Sequence, residues 1–145
     1  MVGEKVKKGG EATSKFWTVE WMLRLAVFGT FFGHGVFALS IKQSWFGYFT
    51  GIGIAESAIP TLLILIGIMD ITMALMALFK PVRGLLLWAV IWSVITALIR
   101  PITGNFFGID FMDFVERSSN FMAPLALIIY YGWPRTFSGW FKVMD

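Results

Sequence analysis

The chain alternates long apolar runs with short polar or aromatic connections. Four runs of near-continuous apolar residues lie at 20–41, 60–79, 82–100 and 115–133. Each is close to the ~20 residues that a helix needs to cross a hydrocarbon core of about 30 Å. The pattern predicts an all-α membrane protein, a bundle of four transmembrane helices within one domain, 20–133. Residues 1–19 read as a polar tail before it and 134–145 as a second tail after it. "FKPVRG", between the second and third runs, is too short for anything but a tight turn, so those spans are expected to form an antiparallel hairpin. Pro60 and Pro81 suit the first turns of the second and third helices, where a missing N–H costs nothing.

The two remaining connections are longer. Residues 42–59, "KQSWFGYFTGIGIAESAI", are aromatic and glycine-rich. They predict an interfacial or re-entrant segment with Trp45, Phe46, Tyr48 and Phe49 at headgroup depth. Residues 101–114, "PITGNFFGIDFMDF", share that aromatic and acidic character.

Composition agrees with a membrane chain: 57% of the 145 residues are hydrophobic and 14% charged. A soluble domain carries about 25% charged residues. Cysteine is absent, which removes disulfides, thiolate nucleophiles, iron–sulfur clusters and cysteine-ligated zinc from this chain's own chemistry. The opening "MVGEKVKKGGEATSK" reads as a tail and not as a signal peptide, because the apolar run behind it exceeds an h-region.

Charge distribution sets the expected orientation. Lys5, Lys7, Lys8, Lys15, Lys80, Arg83, Arg135 and Lys142 fall on the side that holds both termini. Lys42, Arg100 and Arg117 fall on the other, offset by Glu56, Asp110, Asp113 and Glu116. The positive-inside rule then places both termini in the cytoplasm; the expected location is the inner membrane of a prokaryote. The net charge of +3 calls for anionic lipid headgroups and for no nucleic acid.

Ionisable residues within spans are costly, and each is a functional hypothesis. Arg24 lies about 6 Å from the inner end of its span at 1.5 Å per residue, and His34, the single histidine, about 10 Å from the outer end. Asp70 is close to the midplane, too deep to snorkel. Gly67, Asp70, Ala74 and Ala77 share one helical face, a small-residue stripe that lets another helix approach. Asp70 is therefore expected to meet either Arg24 or His34, which lie about 80° apart around their helix. These three form the expected polar core. Gly29 and Gly33 make a GxxxG on roughly the opposite side from Arg24, so the first helix is expected to pack on both sides.

A second cluster is expected at the outer boundary. Ala89, Ser93, Thr96 and Arg100 form a small and polar stripe on the third span. Arg100 then lies level with Glu116, and a cross-helix pair between them is expected. Asp113 and Arg117 share i, i+4 spacing, as do Glu116 and Asn120. Pro124 frees the carbonyl of Asn120, so Asn120 either lines a site or re-satisfies the backbone there. No histidine pair or carboxylate cluster has metal-ligand spacing. "GIGIAE" lacks the third glycine and the βαβ setting of a dinucleotide fingerprint.

For His34 two readings stand: a histidine packed within the bundle and hydrogen-bonded to Thr30, a carbonyl or Asp70, or a group in a quinone-like or proton-linked site, since histidine titrates near neutral pH. Haem ligation by His34 would need a methionine or another chain as second ligand. An Asp70 pair reads likewise as a register-fixing structural contact or as part of a proton path.

"WMLRLAVFGTFFGHGVFAL", "FTGIGI", "GIMDITMALMALFKPVRG" and "VERSSNFMAPLALIIYYG" together resemble the DoxX-like membrane proteins over about residues 20–133. The resemblance implies a four-helix membrane fold. It also implies a small subunit of a larger complex, since the family includes the small membrane subunit of a thiosulfate:quinone oxidoreductase. Arg24, His34 and Asp70 are the positions it carries over as a polar core. The expected function is an accessory membrane subunit, redox- or quinone-linked, whose polar core borders a quinone or lipid site. Its expected partners are membrane lipids and the other subunits. Two alternatives stand beside it: a stand-alone enzyme or proton-linked carrier using Asp70 and His34, and an assembly subunit with no chemistry.

Overall fold

The computed structural model describes residues 18–144. Residues 1–17, with Lys5, Lys7, Lys8 and Lys15, and residue 145 lie outside the described residues. The described residues form helices joined by irregular connections, with no strand beyond one isolated bridge between Val82 and Val143. Three long helices carry the fold: α1 (Val19–Leu39), α3 (Ile59–Phe79) and α4 (Arg83–Thr103). The short α2 (Phe46–Gly51) lies in the first connection, and α5 (Asp110–Glu116) and α6 (Ser118–Tyr131) complete the chain. α1, α4 and the segment Glu56–Phe79 that contains α3 are each long and apolar enough to cross a membrane.

Local chemistry sets these boundaries. The Thr18 hydroxyl accepts the Trp21 N–H at 3.3 Å and caps α1. Pro60 stands in the first turn of α3, as its missing N–H allows. Pro81 does not open α4; it is buried in the linker before it, where its carbonyl accepts the Met144 N–H at 2.9 Å. α4 runs through Pro101 to Thr103, past the expected end at Arg100. There the Thr103 hydroxyl donates to the carbonyls of Ile99 and Arg100.

The expected single helix over 115–133 is divided. α5 closes with the Arg117 N–H on the Asp113 and Val115 carbonyls, and α6 starts anew at Ser118. The break falls where the charged residues Asp110, Asp113, Glu116 and Arg117 give way to the apolar stretch. α6 has 14 residues, about 21 Å at 1.5 Å per residue. It continues through Pro124 without a break.

α1 is the central helix. It packs extensively on α3 and also on α6, while α4 packs on α6. α3 and α4 touch sparsely despite their short linker, so the expected hairpin is antiparallel but splayed. The small stripe Gly67, Asp70, Ala74 and Ala77 of α3 is fully buried, as its spacing predicts, but α1 is the helix that uses it. Closest approach falls at Gly35 and Gly67. A Cβ on either glycine would stand 3.0 Å from the carbonyl oxygen of the other. Gly29 and Gly33 face open space, so the expected packing through that GxxxG does not occur among the described residues.

The start of α1, the α3–α4 linker and the C-terminal residues meet at one end of the bundle, called here the terminal end. α2 and α5 lie at the other, the loop end. Residues 132–144 fold back over the terminal end: Val143 bridges to Val82, and Met144 is buried in the main core with Val27, Ala77 and Leu86. Arg83 fastens this return. Its Nε donates to the Gly132 carbonyl at 2.8 Å and its Nη2 to the Tyr131 carbonyl at 2.7 Å, satisfying groups that the end of α6 leaves free.

Candidate functional site: a cleft between α3 and α4

The polar residues separate into two assemblies that differ in kind. At the terminal end, Arg24 on α1 is buried but fully engaged. It pairs with Glu20 one turn earlier and donates to the Tyr131 hydroxyl from Nε at 3.0 Å. Its Nη1 donates to the Leu78 carbonyl at 3.2 Å. The Tyr131 hydroxyl donates in turn to Glu20. Glu20, Arg24 and Tyr131 thus form a closed triad joining α1, α3 and α6. The guanidinium also faces the rings of Trp21 and Tyr131, 5.2 and 5.7 Å from their centroids. The expected Arg24–Asp70 pair is absent, because Glu20 takes the guanidinium and holds it at the far end of the helix.

At the loop end the splay of α3 and α4 opens a cavity of about 370 Å³. Leu62, Leu63, Ile66 and Asp70 of α3 form one wall, and Trp92, Ile95, Thr96, Ile99 and Arg100 of α4 the other. His34 of α1 closes its back. Trp45, Tyr48 and Phe49, expected at headgroup depth, line it from the first connection, and Arg117 reaches in from the α5–α6 turn. Its walls are almost wholly apolar and aromatic, with the polar groups at its ends.

Asp70 lies at the deep end of the cavity and is 2% exposed. The Trp92 indole lines the same cavity, and Oδ1 has no hydrogen-bond partner among the described residues. Neither Arg24 nor His34 forms an ion pair with it; among the described residues the ion pairs are Arg24–Glu20 and Arg100–Asp113. His34 is half-buried and sets its ring edge-on to Trp45, with centroids 6.1 Å apart. Arg24 and His34 therefore belong to different assemblies, while His34 and Asp70 share the cavity.

At the outer end Arg100 pairs with Asp113, Nη1 to Oδ2 at 3.0 Å, and faces the Tyr48 ring at 5.2 Å. The expected partner, Glu116, is exposed and makes no ion pair. One turn of α5 separates the two acids, and Asp113 is the one turned toward α4. Arg117 forms no ion pair with Asp113, and its Nε is buried without a partner among the described residues. Asn120 is half-buried and does not line the cavity. Thr96 leaves the packed stripe of Ala89 and Ser93 and faces the cavity.

Tyr131, Trp92 and the partnership of Glu20 with Arg24 escape a reading of the sequence that looks for deep charges. The Glu20–Arg24 spacing of i, i+4 is the signal that finds the last. Among the described residues no group of three or more His, Asp or Glu side chains gathers at metal-binding distance. No family model, curated protein or solved structure matches the chain.

Proposed function

We propose that this protein is a four-helix integral membrane subunit of the DoxX-like kind, with α5 and α6 together making the fourth crossing and both termini cytoplasmic. In this reading the α3–α4 cleft holds a membrane-soluble quinone for a larger redox complex, whose partner subunit supplies the electrons. The observation that carries the reading is the character of the cavity: an apolar and aromatic waist with an unpartnered buried polar atom toward each end, Asp70 Oδ1 and Arg117 Nε. Leaving such atoms unsatisfied costs roughly 1–3 kcal/mol each; the oxygens of a flat quinone ring accept, so one would take the Arg117 Nε–H and the other the O–H of a protonated Asp70 carboxyl. His34 and the Trp92 indole offer further N–H groups to the same space. The edges of the cleft at Leu62, Ile66, Ile95 and Ile99 are apolar, and the two helices meet sparsely, so entry is lateral, from lipid. A quinone held there would supply electron and proton acceptance; this chain's residues would hold its ring, exclude water and present Asp70 and His34 to its oxygens.

The test is purification of the full chain in mild detergent, followed by solvent extraction and mass spectrometry. A quinone is expected at about one per chain, and Thr96→Trp, which fills the middle of the cavity, is expected to abolish it. Recovery of phospholipid alone, or equal quinone in the wild type and the variant, refutes the quinone assignment.

A further inference from the structure

We infer that Asp70 is a proton-binding site, loaded and unloaded only from the loop end of the bundle. This goes beyond quinone binding and does not require it.

Two observations meet at this residue. The first is that the carboxyl has no neutralising partner. It is buried, aimed into the cavity, and lacks a hydrogen bond at Oδ1. An isolated carboxylate in apolar surroundings is expensive. No side chain of the described residues forms an ion pair with it, although the chain has cations to spare. A proton carried through the cavity is the neutralising group left to it. The titratable and charged groups that share the cavity are His34 from α1, Tyr48 from α2, Arg100 from α4 and Arg117 from the α5–α6 turn. All of them lie on the loop-end side of Asp70.

The second observation is that the other half of the bundle is sealed. From Asp70 toward the terminal end, α3 presents Met73, Ala74 and Ala77, each no more than 2% exposed. Against them pack Val27 and Phe31 of α1, Leu86 and Ala89 of α4, and Leu127 and Ile128 of α6, all in the same buried cluster. None of these side chains can relay a proton. Ser93, the buried hydroxyl of α4, stands one turn nearer the loop end than Ala89, so the next polar groups toward the terminal end are those of the Glu20–Arg24–Tyr131 triad. It meets α3 at the Leu78 carbonyl, eight residues and about 12 Å beyond Asp70 at 1.5 Å per residue. Met144 and the returning C-terminal residues cover that end. Protein polar groups therefore lead away from Asp70 in one direction only.

The experiment reconstitutes the full chain in sealed phosphatidylcholine vesicles free of quinone and labels it with dicyclohexylcarbodiimide. This reagent takes up a protonated carboxyl: the proton goes to a carbodiimide nitrogen, the carboxyl oxygen adds to the central carbon, and the acyl group migrates to nitrogen as a stable acylurea. Trypsin added outside cuts at Arg135 and Lys142 only in molecules whose terminal end faces outward, which separates the two orientations. The adduct is located by peptide mass spectrometry, with Asp70→Asn as the control for site. Labelling of Asp70 is expected to slow several-fold per unit rise in pH on the loop-end side and to stay unchanged when only the terminal-end pH is varied. Labelling that follows the terminal-end pH, or both sides equally, overturns the one-sided path. Absence of labelling in the wild type overturns the proton site itself. Because no quinone is present, either failure leaves the quinone reading to its own test, and the converse holds.

Discussion

Replacing Gly33 and Gly35 separately by alanine asks which face of α1 holds the bundle together. At Gly35 the new Cβ would stand 2.8 and 2.9 Å from two carbons of Ile71 and 3.0 Å from the Gly67 carbonyl oxygen. The Ile71 side chain can rotate in part, but the carbonyl belongs to the α3 backbone and moves only with the helix. α1 and α3 must therefore separate by a few tenths of an ångström along the longest interface in the molecule. Overpacking of this kind costs about 1–3 kcal/mol. At Gly33 a Cβ meets nothing within 4 Å. Both substitutions receive the same helix-propensity gain, up to about 1 kcal/mol, so it cancels in the comparison. Gly35→Ala is then expected to be less stable than Gly33→Ala by about 1–3 kcal/mol. The assay is reversible unfolding in mixed micelles with increasing dodecyl sulfate, followed by loss of helicity. Gly67→Ala should match Gly35→Ala, and the double variant should cost less than the sum, because both push the same two helices apart. Equal stability of the Gly33 and Gly35 variants, or a greater loss at Gly33, refutes the α1–α3 contact in favour of packing through Gly29 and Gly33.

Three further outcomes follow from the polar assemblies. Arg24→Gln strips the charge from the terminal triad and should lower unfolding stability in the same micelle assay by about 2–4 kcal/mol, since it leaves the partly buried Glu20 carboxylate with no cation and only the Tyr131 hydroxyl as donor; a loss of only a few tenths would mean that the triad is ornamental. Asp113→Asn should cost less than about 1 kcal/mol, because its side chain is 41% exposed and water screens the pair with Arg100. Arg83→Met should free the returning C-terminal residues, so limited trypsin cleavage at Lys142 in detergent is expected to accelerate several-fold while the helicity of the bundle stays constant.

Apolar run length made the three long helices legible to within about three residues at their ends, because a chain that must satisfy its backbone within lipid has few alternatives to helix. The small stripe on α3 was legible for a related reason: helical spacing fixes which residues share a face, whatever the partner. Pairing between helices was not. Whether Gly33 or Gly35 meets α3 depends on about 200° of rotation around α1, and both residues sit in the same apolar run. The site failed to read out at the same level. Depth alone brings Arg24 within reach of Asp70, but the nearer acid at Glu20 wins the guanidinium through four residues of local spacing. The same competition decides Arg100, which meets Asp113 because the chain turns at Arg117 and presents one face of α5. The cavity itself could not be foreseen from the short "FKPVRG" turn, which predicts contact between α3 and α4. Bulky residues such as Leu62, Ile66, Trp92, Ile95 and Ile99 keep those helices apart at the loop end.

The arrangement of Glu20 bears on how Asp70 should be understood. A buried carboxylate retained only for architecture would be expected with its partners satisfied, as the terminal triad is, since an incomplete polar network is worse than an apolar core. This chain contains one of each. Arg24 stands on the helix that packs closest to α3, yet Glu20, Tyr131 and the Leu78 carbonyl use its donors a full two turns away from Asp70. The same fold therefore completes a charge network at one end and withholds a partner at the other. Ordinary packing pressure favours replacing such an unpaired acid by a small apolar residue, of which the surrounding stripe already has three, Gly67, Ala74 and Ala77. An unpartnered carboxyl opening onto a cavity shared with His34 and Arg117 is the feature on which the proton-site inference rests.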